Sequence, residues 1–216
     1  QQPMLNFRIF KYPMFALSSA ITMVVNISMF SGILLLPIFL QTLRGISPMD
    51  AGLMLLPGAL LNALMSPITG RLFDKIGARI LALIGLIITT VTTYYFSKLS
   101  MDSGYYYMMA LNAVRYLGMS MVMMPVQTNG LNQLPPQYYP HGTAMNNTLN
   151  QVSAAIGTAA LVTVMTTRAN EYAADAPLPL AMLHGINDAF LVAALISVIA
   201  VVLSLFIKRA RPSSVL

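Results

Sequence analysis

The sequence predicts an all-α integral membrane protein, a bundle of six transmembrane helices joined by short connections. Three observations carry that reading. Of the 216 residues, 57% are hydrophobic and 8% are charged. A soluble domain carries about 25% charged residues, so most of this chain's surface must face lipid. Apolar runs of about 20 residues, the length a helix needs to cross the hydrocarbon core, recur along the chain. None of these runs alternates with period two, which excludes barrel strands and leaves helices to satisfy the backbone in lipid.

The runs fall at 14–40, 50–70, 80–99, 105–127, 143–167 and 187–207. The first follows Arg8 and Lys11 and carries Asn26 and Pro37. The second opens after Ser47-Pro48 and contains Pro57-Gly58, Asn62 and Pro67. The third ends in Tyr94, Tyr95 and Phe96, and the fourth begins with Tyr105, Tyr106 and Tyr107, an aromatic belt at one membrane surface. The fourth also holds Asn112, Arg115, a crowd of methionines (Met119, Met121, Met123, Met124) and Pro125. In the fifth, Asn146, Asn150, Ser153 and Gly157 recur at helical spacing and share one face. The stretch 169–184, with Glu171, Asp175, Pro177 and Pro179, reads as a solvated loop. Asp188 stands at the start of the sixth run. The whole chain, 1–216, reads as one transmembrane domain, and its start at Gln1 is read as that of a fragment of a longer protein.

Composition narrows the function classes. There is no cysteine, which removes disulfides, thiol catalysis and cysteine–metal sites. His141 and His184 sit in separate connecting segments without an acidic cluster, so neither a metal nor another cofactor is expected. No nucleophile–base–acid set is visible, so no catalytic residue is assigned and no enzyme is expected. The net charge of +6 does not form a nucleic-acid patch, because Lys and Arg gather at the ends of apolar runs. That is the pattern of membrane topology. Of the 12 basic and 6 acidic side chains, Arg71, Asp74, Lys75 and Arg79 crowd into one short connection. With that connection cytoplasmic, the same side holds Arg8, Lys11, Lys208, Arg209 and Arg211, and the opposite side only Arg44, Lys98 and Arg168. Both ends of the chain are then cytoplasmic, at the plasma membrane of a bacterium.

Several residues break the hydrocarbon rule. Arg115 stands in mid-span, where a charge costs roughly 2.5–3.5 kcal/mol on insertion scales. It is either a gating or substrate-pathway residue or a structural arginine bonded to carbonyls of neighbouring helices. Asn26, Asn62, Asn146 and Asn150 suit a wet central cavity as a set, or interhelical hydrogen bonds individually. Pro57-Gly58 and Pro125 are candidate helix bends, or static shape features. Acids are missing from mid-membrane. Asp188 is the marginal proton site, with a helix N-terminal cap as its alternative.

Taken together, these residues resemble the C-terminal half of a major facilitator superfamily transporter. The likeness is greatest to the fourteen-helix drug:proton antiporter group of multidrug exporters. It is carried by Leu5-Asn6-Phe7-Arg8-Ile9-Phe10-Lys11, by Gly45-Ile46-Ser47-Pro48-Met49-Asp50-Ala51-Gly52 with Leu55-Leu56-Pro57-Gly58, and by Arg115-Tyr116-Leu117-Gly118 through Met124-Pro125-Val126-Gln127. Asn187-Asp188-Ala189-Phe190 extends it to the last span. Gly70-Arg71-Leu72-Phe73-Asp74-Lys75-Ile76-Gly77-Ala78-Arg79 resembles the superfamily's loop signature, with Ala78 replacing the first of its usual basic pair. In that loop Gly70 would let helices approach, Gly77 would permit the turn, and Asp74 would meet the next helix's positive end or pair with Arg71 or Arg79. The resemblance implies alternating-access efflux of small amphipathic or cationic substrates, driven by the proton gradient. It also implies a missing N-terminal half as partner, with the lipid bilayer around both.

Overall fold

Prolines and one glycine set where the helices begin and end. The computed structural model describes residues 7–208. A short 3-10 helix, Phe7–Lys11, leads into α1 (Pro13–Ile38), α2 (Pro48–Ile76), α3 (Ala78–Phe96), α4 (Tyr105–Leu131), α5 (Tyr139–Tyr172) and α6 (Leu178–Ser204). Among the sequence landmarks, Leu5, Asn6, Arg209 and Arg211 lie outside the described residues.

Pro13 and Pro48 each occupy a first helical turn, where the missing N–H costs nothing. Ser47 caps α2: its Oγ accepts from the Asp50 N–H at 3.1 Å and donates to the Asp50 carboxylate at 2.7 Å. Past Pro37, α1 widens into a π-helical turn, Phe39–Leu43. Arg44 then ties this end down by donating to the Ser103 carbonyl at 2.6 Å.

Two sequence expectations are corrected here. The charged stretch 70–79 is not an open loop. α2 continues through Ile76, and only Gly77, at φ 83°, separates it from α3. That backbone state requires glycine. The 169–184 loop shrinks to 173–177, because α5 runs on to Tyr172 and α6 starts at Leu178. All six predicted helices are present, and among the described residues five of the helical segments are apolar and long enough by composition to cross a membrane. The exception is α4. Its Asn112, Arg115, Gln127 and Asn129 lower its hydropathy, yet α1, α2 and α3 wrap it and bury three of the four.

The packing order follows from small residues. Gly85 of α3 meets Gly118 of α4 backbone to backbone, Gly157 of α5 lies on Ile27 of α1, and Gly185 of α6 lies on α5 at Met165. Such contacts let membrane helices approach closely where apolar burial gives no advantage over lipid. Toward one end, Phe96 stacks on Phe190 with ring centroids 5.3 Å apart. Elsewhere Ile21, Val25, Leu86, Val122 and Val126 fill the space between α1, α3 and α4. The outward faces are apolar: Leu64 of α2, Ile80 and Ile87 of α3 and Leu195 of α6 are each at least half exposed. Exposed apolar faces of this kind mark a membrane or partner surface. The chain is membrane-integral.

Candidate functional site

Because α4 is wrapped on three sides, its polar residues turn inward, and Arg115 is the extreme case at 1% exposure. Its Nη2 donates to the Ser28 carbonyl at 2.5 Å, to Ser31 Oγ at 3.0 Å and, more weakly, to the Met29 carbonyl at 3.4 Å. Its Nε donates to Thr93 Oγ1 at 3.1 Å. Ser31 Oγ donates to the Ser28 carbonyl as well, and Ser197 Oγ of α6 donates to Ser28 Oγ at 2.6 Å. One guanidinium therefore joins α4 to α1 and α3, and through Ser28 to α6. Gly32 lies directly under its head group, where no side chain fits. Of the two readings of Arg115, this arrangement matches the arginine bonded to carbonyls of neighbouring helices. In this arrangement it touches no open wall and serves as a carbonyl-bonded clamp.

The amide face of α5 likewise makes interhelical bonds. Asn26 Nδ2 donates to Asn150 Oδ1 at 2.7 Å, and Ser19 Oγ donates to Asn146 Oδ1 at 3.2 Å. Asn26 and Asn146 are buried, and Asn150 is half-buried at the rim. Asn146, Asn150 and Gly157 thus contribute to the α1–α5 seam. Asn62 is not brought to it: it is half-buried on α2, which makes no substantial contact with α5. Interhelical side-chain bonds of this kind average about 0.6 kcal/mol in membranes. A double-mutant cycle with Asn26→Val and Asn150→Val is expected to give a coupling of about that size, read from unfolding midpoints of the full-length protein. Strict additivity would remove the bond.

The open surface lies one step further round α5. Gln151, Ala155, Thr158 and Val162 recur at helical spacing and, with Phe30 of α1 and the small Ala154 and Ala159, line a groove of about 600 Å³. Its polar groups are an amide and a hydroxyl, its one aromatic is Phe30, and no charged side chain lines it. Sequence reasoning missed Phe30 and Thr158. Their signal is the run Gln151, Ala155, Thr158, Val162, which lies beside the more conspicuous asparagine face.

At the other end of α2, Gly70, Asp74 and Pro125 share a pocket of about 260 Å³ with Phe73, Met124 and Thr128. A methyl added at Gly70 would reach only Met124 Cε, at 3.9 Å, so close helix approach is not what this glycine provides. Arg71 and Arg79 form no ion pair among the described residues, so the expected pairing of either with Asp74 is absent. α2 stays helical through Pro57 and Pro67. Gly58 gives Tyr116 and Asn112 room to pack, since an added methyl would lie 2.6 Å from Tyr116 Cδ2. Asp188 is well inside α6, not at its start, which corrects the capping alternative. Its Oδ2 lies 3.7 Å from Arg168 Nε of α5, and Arg168 also meets Glu171 at 2.7 Å.

The chain belongs to the Major Facilitator Superfamily, whose model matches residues 2–158. It is 51% identical over 166 residues to an uncharacterised MFS-type transporter, YhcA of Bacillus subtilis, covering 77% of this chain and 31% of that protein. It is 41% identical over 217 residues to the lincomycin resistance protein LmrB of Listeria monocytogenes, covering 98% of this chain and 46% of that protein. A multidrug resistance protein B homolog of Mycobacterium tuberculosis is 27% identical over 172 residues, covering 79% of this chain and 32% of that protein. The chain spans less than half the length of each of these relatives.

Proposed function

We propose that this chain is the C-terminal, six-crossing half of a proton-driven drug exporter that works by alternating access. The observation that carries the proposal is the end-to-end match to a lincomycin resistance protein, in a chain whose α1–α5 side holds an open groove. A neighbouring half packed against α2 and α5 would cover their exposed faces and close that groove into a central pathway. Gln151, Thr158 and Phe30 then contact the drug. Amide, hydroxyl and ring suit small amphipathic molecules, cationic ones included, without fixing a single charge pattern. Rocking of one half against the other opens the pathway alternately to each side. The basic residues favour cytoplasmic ends for this chain in a bacterial plasma membrane. The α2–α3 turn, with Asp74 and Pro125 at its pocket, would be the cytoplasmic contact that forms and breaks in the cycle. Pro57-Gly58, at the α4 contact, would be the point about which α2 bends.

The test is efflux by the full-length protein in a drug-sensitive bacterial host, followed with lincomycin and with several cationic dyes. Export of both that stops when an uncoupler collapses the proton gradient is the expected result. Transport of one solute and no dye would replace drug export by a dedicated carrier, and no transport at all would leave a scaffold or sensor. Asp188 is the proton-site candidate of this half. Asp188→Asn is expected to flatten the pH dependence of efflux, whereas an unchanged pH profile would move the proton carrier to the other half.

A further inference from the structure

Where α2 turns into α3, the end of α6 comes alongside, and a groove of about 360 Å³ lies between them. Ile76, Arg79 and Ile80 line one side, Ile207 and Lys208 the other. Its two charged side chains are both cations, and neither forms an ion pair among the described residues. Their separation is set by the core: Ile207 and Ala78, their chain neighbours, are buried in one cluster. Lys208 is also held through its backbone, its carbonyl accepting from Asn129 Nδ2 at 3.2 Å and its N–H donating to Met14 Sδ at 3.4 Å.

A lipid-facing stripe leads away from this groove. Ile80, Ile84, Ile87 and Val91 are 51%, 42%, 50% and 47% exposed and, at steps of four, three and four residues, share one face of α3. At 1.5 Å per residue the stripe is about 16 Å long, roughly half of a hydrocarbon core of about 30 Å. A pair of cations at the head of an apolar track one leaflet long matches the two ends of an anionic phospholipid. We propose that this groove binds such a lipid, with its phosphodiester between Arg79 and Lys208 and an acyl chain along the isoleucine stripe. Basic pockets between membrane helices recognise anionic headgroups in this way. The start of α3, which has no side-chain cap, adds its positive dipole end to the same field. The site requires a bilayer surface at this end of the bundle. It does not depend on what is transported.

The experiment uses the full-length protein in nanodiscs of mixed phosphatidylglycerol and phosphatidylcholine, with retained lipid counted by native mass spectrometry. Phosphatidylglycerol is expected to be retained over phosphatidylcholine. Each of Arg79→Gln and Lys208→Gln is expected to lower that retention about fivefold, while Lys98→Gln at the other end leaves it unchanged. Should the Arg79 variant not fold, the exposed Lys208 variant carries the test alone. Equal retention of the two lipids, or an equal loss on Lys98→Gln, would overturn the site. Unchanged retention in Lys208→Gln would overturn it as well. Displacement by millimolar inorganic phosphate would overturn the lipid in favour of a free anion. Loss of drug efflux with phosphatidylglycerol still bound would count against the transport reading alone.

Discussion

Gly32→Ala is expected to destabilise the protein more than removal of the arginine that Gly32 accommodates. The new methyl group would overlap the Arg115 guanidinium, whose bonds to Ser28, Ser31 and Thr93 leave it no second position. Overpacking of a filled site costs about 1–3 kcal/mol, and a displaced charge-assisted hydrogen bond adds about 1.5–3 kcal/mol. The charge itself stays in the membrane. Arg115→Met gives up the guanidinium's bonds but also sheds the roughly 2.5–3.5 kcal/mol insertion cost of the charge, which offsets much of that loss. The double variant is then more stable than Gly32→Ala alone, a coupling that a double-mutant cycle on unfolding midpoints reads directly. Strictly additive effects would place the guanidinium away from Gly32.

Gly85→Ala and Gly118→Ala are expected to cost about 2–3 kcal/mol each. The methyl at Gly118 would sit 2.7 Å from the Gly85 carbonyl oxygen, and the one at Gly85 would press on the Gly118 carbonyl. These obstacles are backbone, so relief requires moving a whole helix. Gly70→Ala is the contrasting case. It meets only a methionine methyl at van der Waals distance and removes a helical glycine, for an expected gain of about 0.5–1 kcal/mol. Thermal unfolding of the three variants in one detergent tests the ordering. A tolerated Gly85→Ala would mean that α3 and α4 stand further apart than described.

Gly70, Gly32 and Gly85 also show what could be read in advance. Apolar length gave the helices, and the charge bracket around Gly77 gave the sharpest turn. Arg115 was recognisable as a charge in the wrong solvent. Its partners were not, because they are backbone carbonyls and hydroxyls on other helices, and a carbonyl carries no sequence signature. The loop motif drew attention to Gly70, whereas the glycines that set helix spacing, Gly85 and Gly118, sit in unremarkable apolar text. The asparagines of α5 marked a polar face correctly, but two adjacent faces of one helix differ by a single step. Which of them packs is decided by Gly157 against Ile27, a contact between distant parts of the chain. The 169–184 stretch was misread because its prolines, at Pro177 and Pro179, open a helix as readily as they close one.

The central claim is that the α1–α5 groove is a wet drug pathway. The chain has no cysteine, so Thr158→Cys introduces the single thiol of this half. In the full-length protein that thiol should react with a membrane-impermeant methanethiosulfonate reagent, since only a hydrated thiol ionises to the reactive thiolate. A drug that the full-length protein exports should slow the reaction, and Leu195→Cys on the exposed apolar face of α6 should stay unlabelled. No labelling at position 158, or labelling that saturating drug leaves unchanged, would contradict the account.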